Sequence, residues 1–313
     1  MRVRQGEFVD AAGWCKRVAE EAAEAGDLPA LAHAYHLMHL AYISNRSPER
    51  SALRGLALPI YEEIGDLLGQ ANALNNLGID AYYEGRWQEA LEHYERSKAL
   101  RERIGDVVGA ATITNNIGEI KSDQGYLTTA AGLAEEAREV FANAGHRLLL
   151  THALSNLGRI AARGGELDEA HRLLNEALAI AEEIKSASLV EEVRARLAEW
   201  AVLARKPEQA LEGVEAALAG IRESGGGSLQ NALAHRIRGY ALEQLGQRDQ
   251  ALQALEQSLE VARAADETYE LAVTLGAIGD LKTRAGVNAT AEAAEARGLL
   301  ARLGVVSTPE VPV

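Results

Sequence analysis

The chain has 313 residues, of which 47% are hydrophobic and 25% charged, the balance of a folded, water-soluble protein. Acidic residues outnumber basic ones by 46 to 32, and a net charge of −14 repels the phosphate backbone, so direct nucleic-acid binding is not expected. Aromatic residues make up only 4% and prolines number 6, while alanine, leucine and glutamate dominate, which favours helices over sheets. We therefore expect an all-α protein.

The cysteine content and the amino terminus indicate a cytoplasmic protein. Cys15 is the only cysteine, so no internal disulfide can form, and we interpret it as a small buried side chain rather than a nucleophile. No uninterrupted apolar run approaches the ~20 residues of a membrane span. The amino terminus MRVRQGEF also lacks the apolar core of a signal peptide, so no membrane partner is predicted.

Residues 1–26 are predicted to form a partial repeat or an amino-terminal capping helix. In RQGEFVDAAGWC a loop glycine, Gly6, is followed five positions later by Ala11, the spacing found in the later repeats. Most of the helix that would precede this loop is absent, and half a repeat leaves an apolar face unburied. Of the two alternatives, a fragment of a longer protein and an improvised cap, we favour the fragment.

From residue 27 to residue 304 the sequence repeats about every 40 positions, which predicts a solenoid of about seven helix pairs. A small residue recurs in mid-helix, a loop residue follows it by seven positions, and an alanine follows the loop residue by five. The mid-helix residues are Gly78, Gly118, Gly158, Ala198, Gly239 and Gly279. The loop residues are Gly85, Gly125, Gly165, Arg205, Gly246 and Gly286, and the alanines are Ala90, Ala130, Ala170, Ala210, Ala251 and Ala291. One step of 41 falls near Gly225, Gly226 and Gly227, where a loop can absorb the extra residue.

The joints between repeats are predicted to be tight. The tripeptide IGD occurs twice, and in it Gly65 and Gly105 can adopt the left-handed conformation that ends a helix, while Asp66 and Asp106 cap the next helix. Glycine inside a helix costs ~1 kcal/mol relative to alanine and must return that cost through packing. We therefore interpret the Gly78 and Ala90 series, one on each helix of a pair, as close contacts where a larger side chain would push the two helices apart.

The two ends of the repeat region are less regular. The first repeat fits poorly, because Asn45 stands where the loop glycine is expected and Arg50 stands near the alanine position. Residues 305–313, in GVVSTPEVPV, include two prolines and show no helical period, so we expect a loose tail.

The pattern resembles the tetratricopeptide repeat over residues 28–304, although the units are about six residues longer than the common ~34-residue unit. The resemblance implies a right-handed superhelical solenoid of antiparallel helix pairs, whose first helices line a concave binding groove. The residues of one unit that carry it are Leu74, Leu77, Gly78, Gly85, Ala90 and Tyr94.

A narrower resemblance is to the carboxy-terminal repeat region of actinobacterial multidomain regulators, of the adenylate or guanylate cyclase and LuxR/AfsR-like kinds. It is carried by residues 75–120 and 155–170, including NNLGIDAYYEGRW and SNLGRIAARGGELDEA. The resemblance implies that ATPase or output domains of a parent protein are candidate partners. It transfers no catalytic residue to this chain.

Helical-wheel geometry places Leu74, Leu77 and Ala81 on a buried stripe and both Asn75 and Asn76 on the opposite face. The equivalent faces of successive repeats pass from aromatic to acidic to basic, which suits an extended or helical peptide better than a small metabolite. The predicted groove residues are Asn72, Asn75, Asn76, Ile79, Tyr82, Tyr83, Thr112, Asn115, Asn116, Glu119, Asp123, His152, Asn156, Arg159, Arg163, Glu192 and Arg196.

The asparagines also permit a structural interpretation. Asn76, Asn116 and Asn156 lie 40 residues apart, at a position where tetratricopeptide units often carry asparagine, and could bond one another or the adjacent backbone. The repeat pattern does not require asparagine at Asn75 and Asn115, so these two are the better candidates for contacting a ligand.

Other motifs give no sign of catalysis. HAYHLMH places His33, His36 and His39 at steps of three, but His39 is turned by roughly 240° from His33, so we interpret them as surface histidines rather than metal ligands. The sequence lacks a phosphate-binding loop, GxSxG and HExxH, and no catalytic residue, metal or cofactor is predicted. Trp87 and Trp200 are interpreted as anchors of helix packing.

The leading hypothesis is a non-enzymatic module that binds a protein or peptide, as the regulatory or sensor part of a larger bacterial signalling or transcription regulator. One alternative is a receptor for a short signalling peptide. Another is a scaffold for homo-oligomerisation through the amino-terminal half-repeat or the apolar last helix.

Overall fold

The computed structural model describes residues 7–44, 50–224 and 228–312, and within these ranges all regular elements are α-helices, which confirms the all-α prediction. The first half of the chain contains α1 (Glu7–Ala25), α2 (Leu28–Ser44), α3 (Arg50–Leu53), α4 (Ala57–Glu63), α5 (Leu67–Tyr83), α6 (Trp87–Arg103), α7 (Val107–Asp123) and α8 (Leu127–Asn143). The second half contains α9 (Arg147–Arg163), α10 (Leu167–Glu183), α11 (Ala187–Leu203), α12 (Pro207–Ser224), α13 (Ser228–Gln244), α14 (Arg248–Ala264), α15 (Thr268–Arg284) and α16 (Thr290–Leu303).

The chain forms two compact units, Met1–Asn116 and Ile117–Val313, and each consists of helix pairs. In the first unit, α5 packs on α6, and α2 packs on α1, α4 and α5. In the second unit, successive pairs are formed by α9 with α10, α11 with α12, α13 with α14 and α15 with α16. The first helices of neighbouring pairs also pack on one another, α9 on α11 and α11 on α13, so the predicted helix-pair solenoid is confirmed within this unit.

The predicted joints have the expected backbone geometry. Gly65 and Gly105 are left-handed, with φ of 72° and 74°. The side chains of Asp66 and Asp106 each accept a hydrogen bond of 2.9 Å from a main-chain nitrogen in the first turn of the following helix. The loop position is left-handed at all six members of the series from Gly85 to Gly286, even where Arg205 occupies it with φ of 55°.

The alanine series is buried in five repeats, and the prediction is wrong for the last one. Ala90, Ala130, Ala170, Ala210 and Ala251 are each 0% exposed. Ala291 is exposed because α16 begins at Thr290, four residues after Gly286, whereas the other second helices begin two residues after the loop position. The longer loop shifts the helix register, and Ala289 is buried instead.

The mid-helix glycines divide into two groups. At Gly78 an added Cβ would meet the ring of Tyr94, and at Gly158 and Gly239 it would lie 2.7 and 2.6 Å from the Cγ of a facing leucine. These three are the predicted close crossings. At Gly118 and Gly279 the nearest atoms would be 3.4 and 3.8 Å away, which is ordinary van der Waals contact, so a close crossing is not required there.

Trp87 and Trp200 are each 3% exposed, so their predicted role in helix packing is confirmed. Cys15 is half-buried rather than buried, because it lies at the edge of the small α1–α2 core that includes Met38. The predictions about Gly6, Asn45 and the glycine run 225–227 fall outside the described residues.

Candidate functional site

In the first unit, the predicted groove asparagines bond protein groups. Asn76 is only 2% exposed, and its Nδ2 lies 3.2 Å from His36 Nδ1 and 3.5 Å from the His36 carbonyl oxygen. Its predicted position on an open face is wrong, because α5 packs on α2 as well as on α6. Asn116 Nδ2 donates to Asn75 Oδ1 at 3.3 Å. The structural interpretation is thereby confirmed for Asn76, whereas Asn116 bonds Asn75 rather than another member of its own series.

The other predicted residues of this unit are also engaged in packing or hydrogen bonds. Asn72 accepts a 2.6 Å hydrogen bond from Arg101. The ring of Tyr82 stacks on Trp87 with 5.8 Å between centroids and lies 5.6 Å from the ring of Tyr83. The remaining three, which are buried or half-buried, are Ile79, Thr112 and Asn115. Ligand contact by any of these side chains stays a prediction.

The interpretation of the histidines as surface residues is wrong for His39, which is buried, and His36 is half-buried. His39 is 5% exposed, and its Nε2 lies 3.6 Å from Asp80, which also accepts a 2.7 Å hydrogen bond from Arg54. Burial, together with the neighbouring His33 and His39, lowers the pKa of His36 to about 4. Across the described parts of the chain, no group of three or more His, Cys, Asp or Glu residues could hold a metal ion.

The second unit brings together four charged side chains that the sequence predicted and a fifth, Glu199, that it did not. Asp123, Arg159, Arg163, Arg196 and Glu199 meet where α7, α9 and α11 lie side by side, and we call them the Arg–carboxylate cluster. Asp123 Oδ1 lies 2.7 Å from Arg159 Nη2 and 2.8 Å from Arg163 Nη1. Glu199 lies within 3.6–3.7 Å of the three arginines, and all of these side chains are at least 87% buried.

More exposed ion pairs flank the cluster. Arg196 also reaches Glu119 at 3.7 Å, and His152 Nδ1 lies 3.6 Å from Glu192, where about a third of each side chain is exposed. Asn156, the remaining predicted residue of this unit, is 8% exposed. The structure therefore places the predicted charged residues on one continuous face, formed by the first helices of successive pairs. We call this the first-helix face; it comprises Ile117–Asp123 of α7 together with α9, α11, α13 and α15.

A second buried ion pair continues this face onto α13 and α15. Arg236 and Glu270 are 6% and 3% exposed, and Arg236 Nη2 donates to Glu270 at 3.2 Å in addition to a shorter bond from Nε. The guanidinium of Arg236 also lies over the ring of Tyr240, 5.5 Å from its centroid. These residues position a charged and aromatic surface beyond the part that the sequence predicted.

The electrostatics of the cluster keep its acids ionised. Burial by itself would raise the pKa of Asp123, but Arg159 and Arg163 outweigh it, and the pKa is lowered. The same balance lowers the pKa of Glu199 to about 2. At Glu119 burial outweighs the attraction of Arg196, and the pKa is raised. Glu119 is therefore the first of these three carboxylates to take up a proton as the pH falls.

A cavity of about 380 Å³ lies on this face between α11, α13 and α15. Arg163, Arg236, Tyr240 and Tyr269 contribute polar and aromatic groups, and aliphatic side chains of the same helices complete the floor. The remaining wall is formed by residues 308–311, which belong to the end of the chain.

Residues 305–312 lie against the first-helix face, so the expectation of a loose tail is wrong. The main-chain nitrogen of Val306 donates to the carbonyl oxygen of Gln124 at 2.9 Å. The side-chain amide of Gln124 donates to the Leu303 carbonyl oxygen at 2.9 Å, and that of Gln244 donates to the Pro312 carbonyl oxygen at 2.5 Å. The absence of helical period did predict the irregular backbone, but it carries no information about docking.

The sequence contained a signal for the residues that were missed. One position after the mid-helix series come Glu119, Arg159 and Glu199, and the same step gives Tyr240 and Asp280 in the last two repeats. Five positions after the series come Asp123, Arg163, Leu203, Gln244 and Arg284. Following these two positions into the last two repeats identifies Tyr240, Asp280 and Arg284, which line the cavity, and Gln244, which bonds the segment 305–312.

Comparison with known families identifies the repeat. The sequence matches the Tetratricopeptide repeat family at residues 53–103 and 109–183. These segments are tetratricopeptide repeats. They contain all of α4, α5, α6, α8, α9 and α10 and most of α7, and the packing of helices in pairs continues beyond them in the second unit. Comparison with curated proteins finds none that matches.

Solved structures with the same fold include two complexes, one with competence and sporulation factor and one with the Phr* peptide. The structure of a Rap protein complexed with competence and sporulation factor is 12% identical, with 95% of this chain and 96% of that chain covered and a TM-score of 0.62. The Rap conjugation gene regulator of plasmid pLS20, in complex with the Phr* peptide, is 16% identical, with 90% and 87% covered and a TM-score of 0.60. At such identities the likeness establishes the tetratricopeptide fold alone.

A third structure is a larger protein. The signal transduction ATPase with numerous domains from Pyrococcus horikoshii, which has a tetratricopeptide repeat sensor, is 16% identical with a TM-score of 0.57. The match covers 87% of this chain and 40% of that one. Within the described part of the present chain, no helix is both long enough and apolar enough to span a bilayer.

Proposed function

We propose that this chain is a non-catalytic module that binds a peptide or an extended protein segment on the first-helix face of the second unit. The observation that carries the proposal is that this face already holds an extended polypeptide, residues 305–312. The Gln124 carbonyl oxygen accepts a hydrogen bond from the Val306 main-chain nitrogen, and the Gln244 side-chain amide donates to the Pro312 carbonyl oxygen, as expected where an extended backbone is recognised rather than one side chain.

The charged residues support binding better than catalysis. A general acid or base works best when its pKa lies near the operating pH. Glu199 has a pKa of about 2 and faces three arginines, and Asp123 likewise has a lowered pKa and two arginine partners. These groups fix one another in place, so the face is held in one arrangement before a ligand arrives, which reduces the free energy of ordering on binding.

The structural neighbours favour a short peptide as the ligand. Two of them are complexes, one with competence and sporulation factor and one with the Phr* peptide. By analogy, the ligand of this chain is a short extended signalling peptide, recognised in a cytoplasmic setting.

A second part of the proposal concerns context. The Pyrococcus horikoshii protein combines a tetratricopeptide repeat sensor with an ATPase, and this chain aligns with 40% of it. We infer a similar sensor role within a larger bacterial signalling or transcription regulator, with ATPase or output domains as neighbours. Reading the genomic sequence upstream of the Met1 codon tests this: an in-frame ATPase domain supports the inference, and an in-frame stop codon directly upstream contradicts it.

The binding proposal can be tested by selecting peptides from a displayed random library on the immobilised chain. Affinities of the selected peptides would then be measured for the wild type, Tyr240→Leu and Tyr126→Leu. Tyr240 lines the cavity, whereas Tyr126 is exposed at the start of α8. We expect Tyr240→Leu to weaken binding at least ~10-fold, in line with the loss of one well-packed aromatic contact, and Tyr126→Leu to leave it unchanged. Failure to select any binding peptide, or equal affinities for the three chains, would sink the proposal.

A further inference from the structure

We propose that residues 305–312 are an intramolecular ligand of the first-helix face, and that the external ligand is an extended, proline-containing peptide with a larger apolar or aromatic side chain where this segment has Val311. This inference rests on the function proposed above and adds the chemistry of the ligand and a means of regulation. Binding of the external peptide then requires displacement of the chain's own segment.

The segment is seated in the manner of a bound peptide. Its contacts near the two ends are hydrogen bonds of its own main chain, from the Val306 nitrogen to Gln124 and from Gln244 to the Pro312 carbonyl oxygen. Between them, Val311 packs against the apolar core of the second unit, next to Leu203 and Tyr240. Few groups hold the segment, so an external chain that makes the same contacts can replace it.

Only some of its side chains are recognised. Pro309, Val311 and Pro312 are half-buried, whereas Thr308 and Glu310 are exposed. Alternation of this kind is typical of an extended peptide that presents every second residue to a surface. Two prolines restrict the free segment to extended conformations, which lowers the entropy lost on docking. The recognised pattern is therefore proline, any residue, a packed apolar residue and proline.

One loop glycine is fitted to the segment. Gly125 and Gly165 are both left-handed, with φ of 90° and 83°. A Cβ at Gly165 would have no atom within 4 Å, whereas a Cβ at Gly125 would lie 2.7 Å from the carbonyl oxygen and 2.9 Å from the nitrogen of Ser307. The main chain of the segment passes over Gly125 at a distance that only a glycine permits.

The cavity indicates how an external peptide can bind more tightly. Val311 forms part of the wall of the 380 Å³ cavity and does not fill it. Tyr240, Tyr269, Arg163 and Arg236 belong to its lining, and aromatic rings and guanidinium groups are favourable neighbours for an aromatic side chain. An aromatic side chain in place of Val311 fits both the space and the chemistry of the lining.

The test is a binding measurement with full-length protein. The probe is a fluorescein-labelled peptide with the sequence of residues 308–313, TPEVPV. Its binding to the protein is measured by fluorescence anisotropy. Val311→Asp weakens the chain's own segment without altering the face. Val306→Asp is the matched control, because the Val306 side chain is 61% exposed and carries the same new charge without loss of packing.

We expect the peptide to bind Val311→Asp at least ~10-fold more tightly than wild type or Val306→Asp, because an intramolecular competitor acts at a high effective concentration. The Gly125→Ala protein should likewise bind the peptide more tightly than the Gly165→Ala protein. Both substitutions strain a left-handed residue, but only Gly125→Ala obstructs the chain's own segment 305–312 and so leaves the face open to the peptide. A probe peptide in which the residue that corresponds to Val311 is replaced by tyrosine should bind the Val311→Asp protein more tightly than TPEVPV does.

Equal affinity for Val311→Asp and Val306→Asp, or no binding by either folded variant, would overturn the inference. Circular dichroism spectra confirm that the variants are folded. If peptides selected from the random library bind on this face while TPEVPV does not, the proposed function stands and only this inference fails. If neither binds, both fail.

Discussion

At the scale of single residues, the Arg–carboxylate cluster is the feature that most determines the site. Buried ions are tolerated only when each is compensated, and removal of one partner leaves the others buried without compensation. Asp123 makes the two shortest ion pairs of the cluster, 2.7 Å to Arg159 and 2.8 Å to Arg163, so we expect its loss to have the largest effect.

Replacing Asp123 with asparagine should lower the free energy of unfolding by about 3 kcal/mol, because it leaves Arg159 and Arg163 without their nearest carboxylate. Glu169→Gln is the control, since Glu169 pairs with Arg172 where both side chains are about half exposed, and a change below ~0.5 kcal/mol is expected. Urea unfolding followed by circular dichroism measures both variants. Similar decreases in the free energy of unfolding of the two variants would show that the buried cluster contributes no more to stability than an exposed ion pair.

The pH dependence of stability follows from Glu199. Its pKa is lowered from an ordinary 4.5 to about 2 in the folded chain, so its contribution to stability is complete above pH 4.5 and is lost as the pH falls from there towards 2. Thermal melting between pH 6 and pH 2.5 should show this loss, and Glu199→Gln should be less stable at pH 6 and less sensitive to acid. A variant with the same pH profile as wild type would contradict the assignment.

At the scale of helices, close packing accounts for some of the repeated glycines and not for others. A Cβ at Gly239 would lie 2.6 Å from Leu255 Cγ and 3.3 Å from the Ala251 carbonyl oxygen, whereas at Gly279 nothing lies within 3.7 Å. The sequence alone gives both positions the same interpretation, because their spacing is identical. The longer loop before α16 removes the close crossing at Gly279.

Gly239→Ala should therefore destabilise the chain by ~1–3 kcal/mol through overpacking. Gly279→Ala should instead stabilise it by up to ~1 kcal/mol, because alanine is the better helix former and has room. The midpoint of denaturant unfolding, compared with that of the wild type, should fall for Gly239→Ala and rise for Gly279→Ala. Equal destabilisation by both substitutions would mean that the α15–α16 crossing is as close as the α13–α14 crossing.

At the scale of the whole molecule, periodicity made the fold predictable and left part of the site unpredicted. The period of 40 correctly gave the helix pairs and the caps at Asp66 and Asp106, but among the charged residues of the cluster it missed Glu199. It misplaced Asn76, because a helical wheel marks one apolar stripe while α5 is covered from two sides. Docking of residues 305–312 depends on tertiary contacts between residues far apart in the chain, such as the hydrogen bond between Gln124 and Val306, which no local pattern records.

The central claim is that the first-helix face of the second unit binds peptides. Hydrogen–deuterium exchange of the full chain, with and without a saturating library-selected peptide, tests it most directly. We expect slower exchange in Ser228–Gln244 and Thr268–Arg284, which carry Tyr240, Gln244 and Tyr269, and faster exchange in residues 305–312 as they are displaced. Protection confined to Leu67–Tyr83 of the first unit, or to the second helices α10 and α12, would contradict the claim.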